Sequence, residues 1–186
     1  MQYGLIYVEP EVPLPAVDKE FYVMQSEWYF DDDSDSDVLK PSFVNGLAES
    51  AQLVTFNGRE GALTDKPLLA NQGDKVRIFF GNGGPNLMSS FHVIGLIFDK
   101  VYRDADLVSP PARYTQVSIT PPGGASVVEV DLKDAPTGSY TLVDHAIFRL
   151  EKGCVGFLKV TGKEARKDIY ASGDMPINCP GCKLHN

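Results

Sequence analysis

Basic residues are outnumbered in this chain. Its 186 residues include 17 Lys and Arg against 25 Asp and Glu, which gives a formal net charge of −8 and an isoelectric point near 4.8. A surface of this sign repels phosphate groups, so we expect neither nucleic acid nor an anionic membrane as the main partner. No apolar run reaches about 18 residues, so no membrane span is predicted. Residues 1–4 lack the basic and apolar regions typical of a signal peptide, and we expect no targeting signal in the chain.

Cysteine is scarce as well. The three cysteines, Cys154, Cys179 and Cys182, are too few for a disulfide scaffold and allow one bridge in the C-terminal tail. For the tail residues Cys179, Cys182 and His185 we considered a redox dithiol, a metal site lacking a fourth ligand, and a local disulfide or unstructured tail. Covalent haem is excluded because Lys183, not histidine, follows the second cysteine.

Histidine is the third scarce residue, and its placement is informative. His92 lies in the stretch SSFHVIG and His145 in LVDHAIFR, both rich in apolar residues, whereas His185 lies in the polar tail. Imidazole binds metals and exchanges protons near neutral pH. His92 and His145 are therefore the candidate functional residues.

The distribution of apolar residues predicts an all-β fold. Short stretches rich in Val, Ile, Phe and Tyr alternate with Gly and Pro turn signals, and no helical period lasts three turns. This spacing suits a Greek-key sandwich or barrel with one short helix within 41–51, capped by Ser42, and an irregular tail. The acidic run 31–37 lacks the Gly and distal Glu of a calcium loop, so we expect a mobile surface loop. Strands are predicted over 4–8, 19–28, 53–56, 68–70, 75–82, 91–97, 115–119, 125–131, 138–144 and 155–161.

Six short motifs, in this order, carry a resemblance to a known family. They are FNG at 56–58, GDKVR at 73–77, NGGPN at 82–86, SFHVIG at 90–95, PGGA at 122–125 and VDHAIF at 143–148. Over residues 1 to about 162, the set resembles the second, C-terminal cupredoxin domain of copper-containing nitrite reductases. The FNG motif alone is shared with multicopper oxidases, whereas the ordered set with both histidines is specific. The resemblance implies a cupredoxin-like fold.

The resemblance also implies an enzyme and an assembly. In that family, two cupredoxin domains form a subunit and three subunits form a trimer. A type 1 (blue) copper in the first domain passes electrons to a type 2 copper that reduces nitrite to nitric oxide. A small electron donor, either a cupredoxin or a cytochrome c, and a periplasmic or extracytoplasmic location are implied with it.

The same resemblance assigns roles to three residues. A type 2 copper held by three imidazoles cannot be built from three histidines of which one lies in the tail, so His145 is implied as one ligand and a neighbouring subunit's first domain as the source of the others. His92 matches the catalytic histidine, which shares a water with an aspartate of the first domain. Ile94 matches a residue that shapes the substrate pocket. The alternatives are a core histidine for His145 and a core-facing side chain for Ile94.

Three other positions qualify this picture. Asp144 could orient His145 or cap the end of its strand. The last hairpin offers Asp144 and His145 but no cysteine, and no histidine lies between Cys154 and the tail, so we expect Cys154 to be a small buried hydrophobic residue and this domain to bind no type 1 copper. Gln116-Val117 departs from the family, in which a hydroxyl residue often follows Gln or Glu; His92 would lose a hydrogen-bond partner, and its tautomer would be less firmly set.

The N-terminal residues resemble the last strand of the family's first domain. Met1 is therefore either the axial ligand of a type 1 copper or an initiator residue. Prolines at 10, 13 and 15 predict a stiff linker, so we divide the chain into 1–17 (strand end and linker), 18–162 (cupredoxin domain) and 163–186 (tail). The rest of the first domain is expected on a separate chain or a removed region, and the isolated chain is expected to be inactive.

Two other functional hypotheses stay open. The first is a non-catalytic cupredoxin module with a structural or partner-binding role. The second is a domain of another multicopper oxidase, although the His-x-His pairs typical of laccase-like enzymes do not occur in this sequence.

Overall fold

A computed structural model describes residues 4–31 and 38–162. Its two α-helices are α1 (Phe43–Leu47) and α2 (Ala62–Asp65), and short 3-10 turns lie at Arg103–Ala105 and Ile147–Arg149. No helix in these ranges is long and apolar enough to cross a membrane. The strands are β1 (Lys19–Trp28), β2 (Leu53–Phe56), β3 (Lys66–Asn71), β4 (Lys75–Asn82), β5 (Ser89–Val93), β6 (Phe98–Tyr102), β7 (Ala112–Thr115), β8 (Ser118–Thr120), β9 (Ala125–Asp131), β10 (Gly138–Asp144) and β11 (Val155–Thr161).

The strands form two sheets packed as a sandwich. The six-stranded sheet has the order β2-β1-β4-β9-β6-β7 and the five-stranded sheet the order β3-β11-β10-β5-β8. The β1–β4 and β3–β11 pairs are parallel, and the other pairs are antiparallel. Phe80 of β4 stacks on Phe91 of β5 with ring centroids 4.2 Å apart, so aromatic rings join the sheets. The prediction of an all-β sandwich is confirmed.

Six predicted strands begin and end where they were expected: β1, β2, β4, β9, β10 and β11. Each contains β-branched or aromatic residues, and all but β1 have a glycine or proline within two residues of an end; these are local features that a sequence shows directly. Ser42 also caps α1 as predicted, since its hydroxyl accepts a hydrogen bond from the Asn45 N–H at 3.3 Å. The helix is only five residues long and contains Gly46, which weakens a helix.

The strand predicted over 91–97 ends early, at Val93. Gly95 has φ = 91°, a left-handed conformation that glycine adopts without strain, and the Leu96 N–H donates to the Val93 carbonyl at 3.0 Å. This tight turn leads into β6. That strand was not predicted from the sequence, because Asp99 and Lys100 interrupt its apolar pattern.

The strand predicted over 115–119 is two strands in different sheets. β7 pairs with β6 in the six-stranded sheet, and β8 pairs with β5 in the five-stranded one. The chain crosses between the sheets at Gln116 and Val117. The residue pattern of 115–119 does not reveal such a crossing, because the crossing depends on which partners the two halves find.

The strand predicted over 4–8 is also absent from both sheets. Ile6 and Val8 are exposed, whereas the Tyr7 ring packs on Phe79 with centroids 4.7 Å apart. The linker that follows is tied to the six-stranded sheet by Arg77 of β4. This buried guanidinium pairs with Glu129 at 2.7 Å and Glu20 at 2.6 Å, and it donates to the Pro15 carbonyl.

Candidate functional site

The fold brings His92 and His145 together on the five-stranded sheet. β5 and β10 are neighbouring antiparallel strands, with Val143 opposite His92. His145 directly follows β10, and its backbone N–H donates to the Ser90 carbonyl at 2.8 Å. The imidazole centroids are 5.6 Å apart, with ring planes inclined by 42°. Two residues far apart in sequence thus form one site.

His92 is held in a defined orientation. Its side chain alternates with that of the core residue Phe91 along β5, and the residue is only 7% exposed to solvent. The imidazole meets the Phe98 ring edge-on, with the two ring centroids 6.4 Å apart. Its Nδ1 lies 2.5 Å from the Gln116 carbonyl oxygen. A carbonyl only accepts hydrogen bonds, so Nδ1 carries the proton and Nε2 is the nitrogen that gains or loses one.

Gln116 can accept this bond because it lies where the chain crosses between the sheets. A backbone carbonyl is supplied by any residue, so the missing hydroxyl side chain at Val117 does not leave the imidazole without a partner. The expectation of a loosely set His92 tautomer is therefore wrong: the backbone fixes it.

The His145 side chain is exposed, as are its successors Ala146, Ile147 and Phe148. A histidine buried in the core does not fit this position, so that alternative is wrong. Ile94 directly follows β5 and is 43% exposed, which also excludes a core-facing side chain. Its backbone is fixed, since its N–H donates to the Thr141 carbonyl at 2.8 Å.

Asp144 is completely buried beside the exposed His145. One carboxylate oxygen accepts the backbone N–H groups of Ser90 at 3.1 Å and Ala146 at 3.0 Å. The other accepts Gln25 Nε2 at 2.8 Å and pairs with Arg149. Two of these bonds go to backbone groups around His145 and none goes to its ring, so Asp144 caps the strand end.

Cys154 packs in the hydrophobic core, as predicted. Burial raises the pKa of its thiol well above the usual value, and the nearby Asp144 charge raises it further. The thiol is therefore protonated at neutral pH in the metal-free protein.

Sequence reasoning missed Gln25, Arg149 and the Gln116 carbonyl. The first two left a weak signal: Gln25 interrupts the apolar run of β1, and Arg149 is a lone cation four residues after His145. The Gln116 carbonyl left no signal, because main-chain groups are the same in every residue.

A groove of about 240 Å³ lies elsewhere, beside residues 15–17 on the six-stranded sheet, and neither histidine lines it.

Within residues 4–31 and 38–162, no group of three or more His, Cys, Asp and Glu side chains could hold a metal ion. The predicted ligand Met1 and the tail residues Cys179, Cys182 and His185 lie outside these ranges. In this part of the chain, His145 is the exposed imidazole beside His92, and it is suited to be one ligand of a site completed by other groups.

Comparisons with known proteins agree with this architecture. No family model matches the chain. A copper-containing nitrite reductase from Neisseria meningitidis is 49% identical over 165 residues, covering 87% of this chain and 42% of the relative. A copper-containing nitrite reductase structure from Thermus scotoductus is 31% identical, with a TM-score of 0.67 over 81% of this chain and 32% of that one.

A multicopper oxidase structure, 22% identical, shares the fold with a TM-score of 0.66, covering 83% of this chain and 48% of that one. The cupredoxin-like fold is thereby confirmed. The chain spans about two fifths of the length of the curated relatives it matches, which corresponds to one domain.

Proposed function

Because the chain belongs to the copper-containing nitrite reductase family and forms its C-terminal cupredoxin domain, we propose that it supplies half of a nitrite reductase active site. In this proposal His145 is one ligand of a type 2 copper, and His92 is the catalytic histidine that handles protons. We also propose that 18–162 form the cupredoxin domain, that 1–17 are the end of the preceding domain's last strand and the interdomain linker, and that 163–186 are a C-terminal tail.

The observation that carries the proposal is the pairing of one exposed imidazole with one fixed imidazole 5.6 Å away. The described residues contain two histidines, so a cage of three imidazoles needs groups from elsewhere. We assign the other two to the first cupredoxin domain of a neighbouring subunit. Bound copper would supply the electron for nitrite reduction and a Lewis-acidic centre.

Reduction of nitrite to nitric oxide consumes two protons and one electron and releases water, so the site must deliver protons. His92 is suited to this task because its Nδ1 proton is committed to the Gln116 carbonyl. Each proton it accepts or releases must therefore pass through Nε2. The buried setting of the ring keeps that atom in one position relative to His145.

Several apolar side chains near the histidines are exposed. Ile94 directly follows β5, and Ile119 of β8 lies opposite Ser90 of β5. Phe148, three residues after His145, is 85% exposed. These side chains favour a face that another subunit covers. We propose that Ile94 borders the nitrite pocket, that the enzyme is a trimer, and that a small cupredoxin or cytochrome c donates electrons to a type 1 copper in the first domain. The family relationship favours a periplasmic or extracytoplasmic location.

The proposal predicts that His145→Ala removes the type 2 copper from the complete two-domain protein and abolishes nitric oxide formation. The type 1 copper, which this residue does not bind, should stay at its wild-type occupancy. Metal analysis, the electron paramagnetic resonance (EPR) spectrum and a nitric oxide electrode measure these effects.

His185→Ala is the matched control, because it removes the tail histidine. It should keep both coppers and the activity. If His145→Ala retained its type 2 copper, the chain would be a cupredoxin module without this chemistry, and the proposal would fail.

A further inference from the structure

We propose that Arg149 is a positioning residue: together with the buried carboxylate of Asp144, it fixes where His145 lies relative to His92. The inference deepens the proposed function and rests on it where copper is concerned. The positioning itself is a property of this chain, and it can be measured without metal.

One carboxylate holds the backbone on both sides of His145. Asp144 accepts the N–H of Ala146, which follows His145, and the N–H of Ser90, whose carbonyl accepts the His145 N–H. Ser90 lies two residues before His92 on β5. The carboxylate therefore couples the turn that carries one imidazole to the strand that carries the other.

The buried carboxylate of Asp144 needs a countercharge. Asp144 is 0% exposed, and a buried charge is costly unless it is paired and hydrogen-bonded. Gln25 provides a neutral donor, itself fixed by Ser89 Oγ at 2.8 Å. Arg149 provides the positive charge.

The Arg149 guanidinium bridges two segments of the chain. The same Nη1 atom that pairs with Asp144 donates to the Met88 carbonyl at 2.6 Å, immediately before β5. The Arg149 backbone N–H also donates to the Ala146 carbonyl at 2.9 Å, which closes the 3-10 turn after His145. Arg149 thus joins the His145 turn to the start of the His92 strand.

Without this cation, the carboxylate would be left buried with no countercharge, so we expect it to move toward water and to release Ser90 and Ala146. The His145 ring would then sample positions that do not match a copper site fixed by the other subunit. Changes in groups that orient a metal ligand typically weaken metal binding by about 10- to 100-fold.

The test is Arg149→Met in the complete two-domain protein. We expect the type 2 copper dissociation constant, measured by equilibrium dialysis, to rise at least about tenfold and the type 2 EPR signal to change, with the type 1 copper unaffected. Arg149→Lys keeps the charge and should recover part of the affinity. In the metal-free protein, nuclear Overhauser contacts between the two imidazoles should be lost in Arg149→Met.

Arg77→Met is the matched control, because Arg77 is a buried arginine paired with carboxylates away from the histidines. It should lower the melting temperature and leave copper affinity and imidazole contacts unchanged. Equal copper affinity and intact contacts in Arg149→Met would overturn the inference, whatever its stability. Should that variant not fold, wild-type copper affinity in Arg149→Gln, which removes the charge and keeps a hydrogen-bond donor, would overturn it.

Loss of imidazole contacts in Arg149→Met, together with normal type 2 copper in His145→Ala, would refute the proposed function and leave the positioning role standing.

Discussion

His92 and His145 differ in how far the protein has fixed their chemistry. The backbone sets the tautomer of His92. The His145 ring, by contrast, is exposed and available to bind a metal ion. Sequence alone indicated both residues as candidates, through the scarcity of histidine and the motifs around them, and their roles stay a prediction. It could not identify the partner of His92, because a carbonyl at a sheet crossing has no signature in the side chains.

At this scale we predict that His92→Asn lowers kcat for nitrite reduction by a factor on the order of 10² to 10⁴, the usual contribution of general acid–base catalysis. Type 2 copper content should stay at the wild-type level, because the proposal gives His92 no metal bond. Steady-state kinetics and metal analysis on the same preparation measure both quantities.

Gln116→Ala is the control for this prediction. It removes the side chain and keeps the backbone carbonyl that accepts from His92 Nδ1. We expect kcat within about twofold of wild type, since the tautomer is preserved. A loss as large as that of His92→Asn would contradict the view that the carbonyl alone orients the ring.

At the level of elements, a buried carboxylate shapes the loop that leads into β5. Glu27 of β1 accepts the N–H groups of Asn86 at 2.7 Å and Leu87 at 2.9 Å, and the Tyr29 hydroxyl at 2.7 Å. Burial, and then this bond to Glu27, raises the pKa of Tyr29 to about 12. Alternation and turn residues predicted six strands, but contacts such as these depend on neighbours distant in sequence.

Gly84 in that loop provides the test. A Cβ at this position would lie 2.4 Å from a Glu27 carboxylate oxygen, and the hydrogen bonds of Glu27 leave it little freedom to move. We therefore expect Gly84→Ala to lower the free energy of unfolding by about 1–3 kcal/mol, as overpacking does. Chemical denaturation monitored through the tryptophan measures it.

Gly46→Ala serves as the comparison. A Cβ there meets open space, and the residue lies inside α1. Alanine favours a helix over glycine by up to about 1 kcal/mol, so this variant should be as stable as wild type or more so. Equal destabilisation by the two substitutions would show that Glu27 does not restrict the loop.

At the scale of the whole molecule, the described residues form a two-sheet sandwich, and we propose that the site on it is completed by another subunit. The two sheets enclose one core, yet the paired histidines lie at a surface that exposes Ile94, Ile119 and Phe148. The fold predicted from the sequence is confirmed, whereas the shared site that the family motifs imply stays a prediction. The sequence could not predict the contacts of Asp144 with Ser90, Ala146 and Arg149, because that arrangement exists only once β5 and β10 are paired.

The most direct test of this account is copper binding by the isolated chain. The experiment uses a Cys179→Ser, Cys182→Ser, His185→Ala variant, so that the tail cannot contribute ligands, and equilibrium dialysis with and without a protein carrying the family's first cupredoxin domain. We predict weak binding and no nitrite reduction by the chain alone, and a stoichiometric type 2 copper with nitric oxide formation once the partner is added. Tight stoichiometric copper binding by the chain alone would contradict the account.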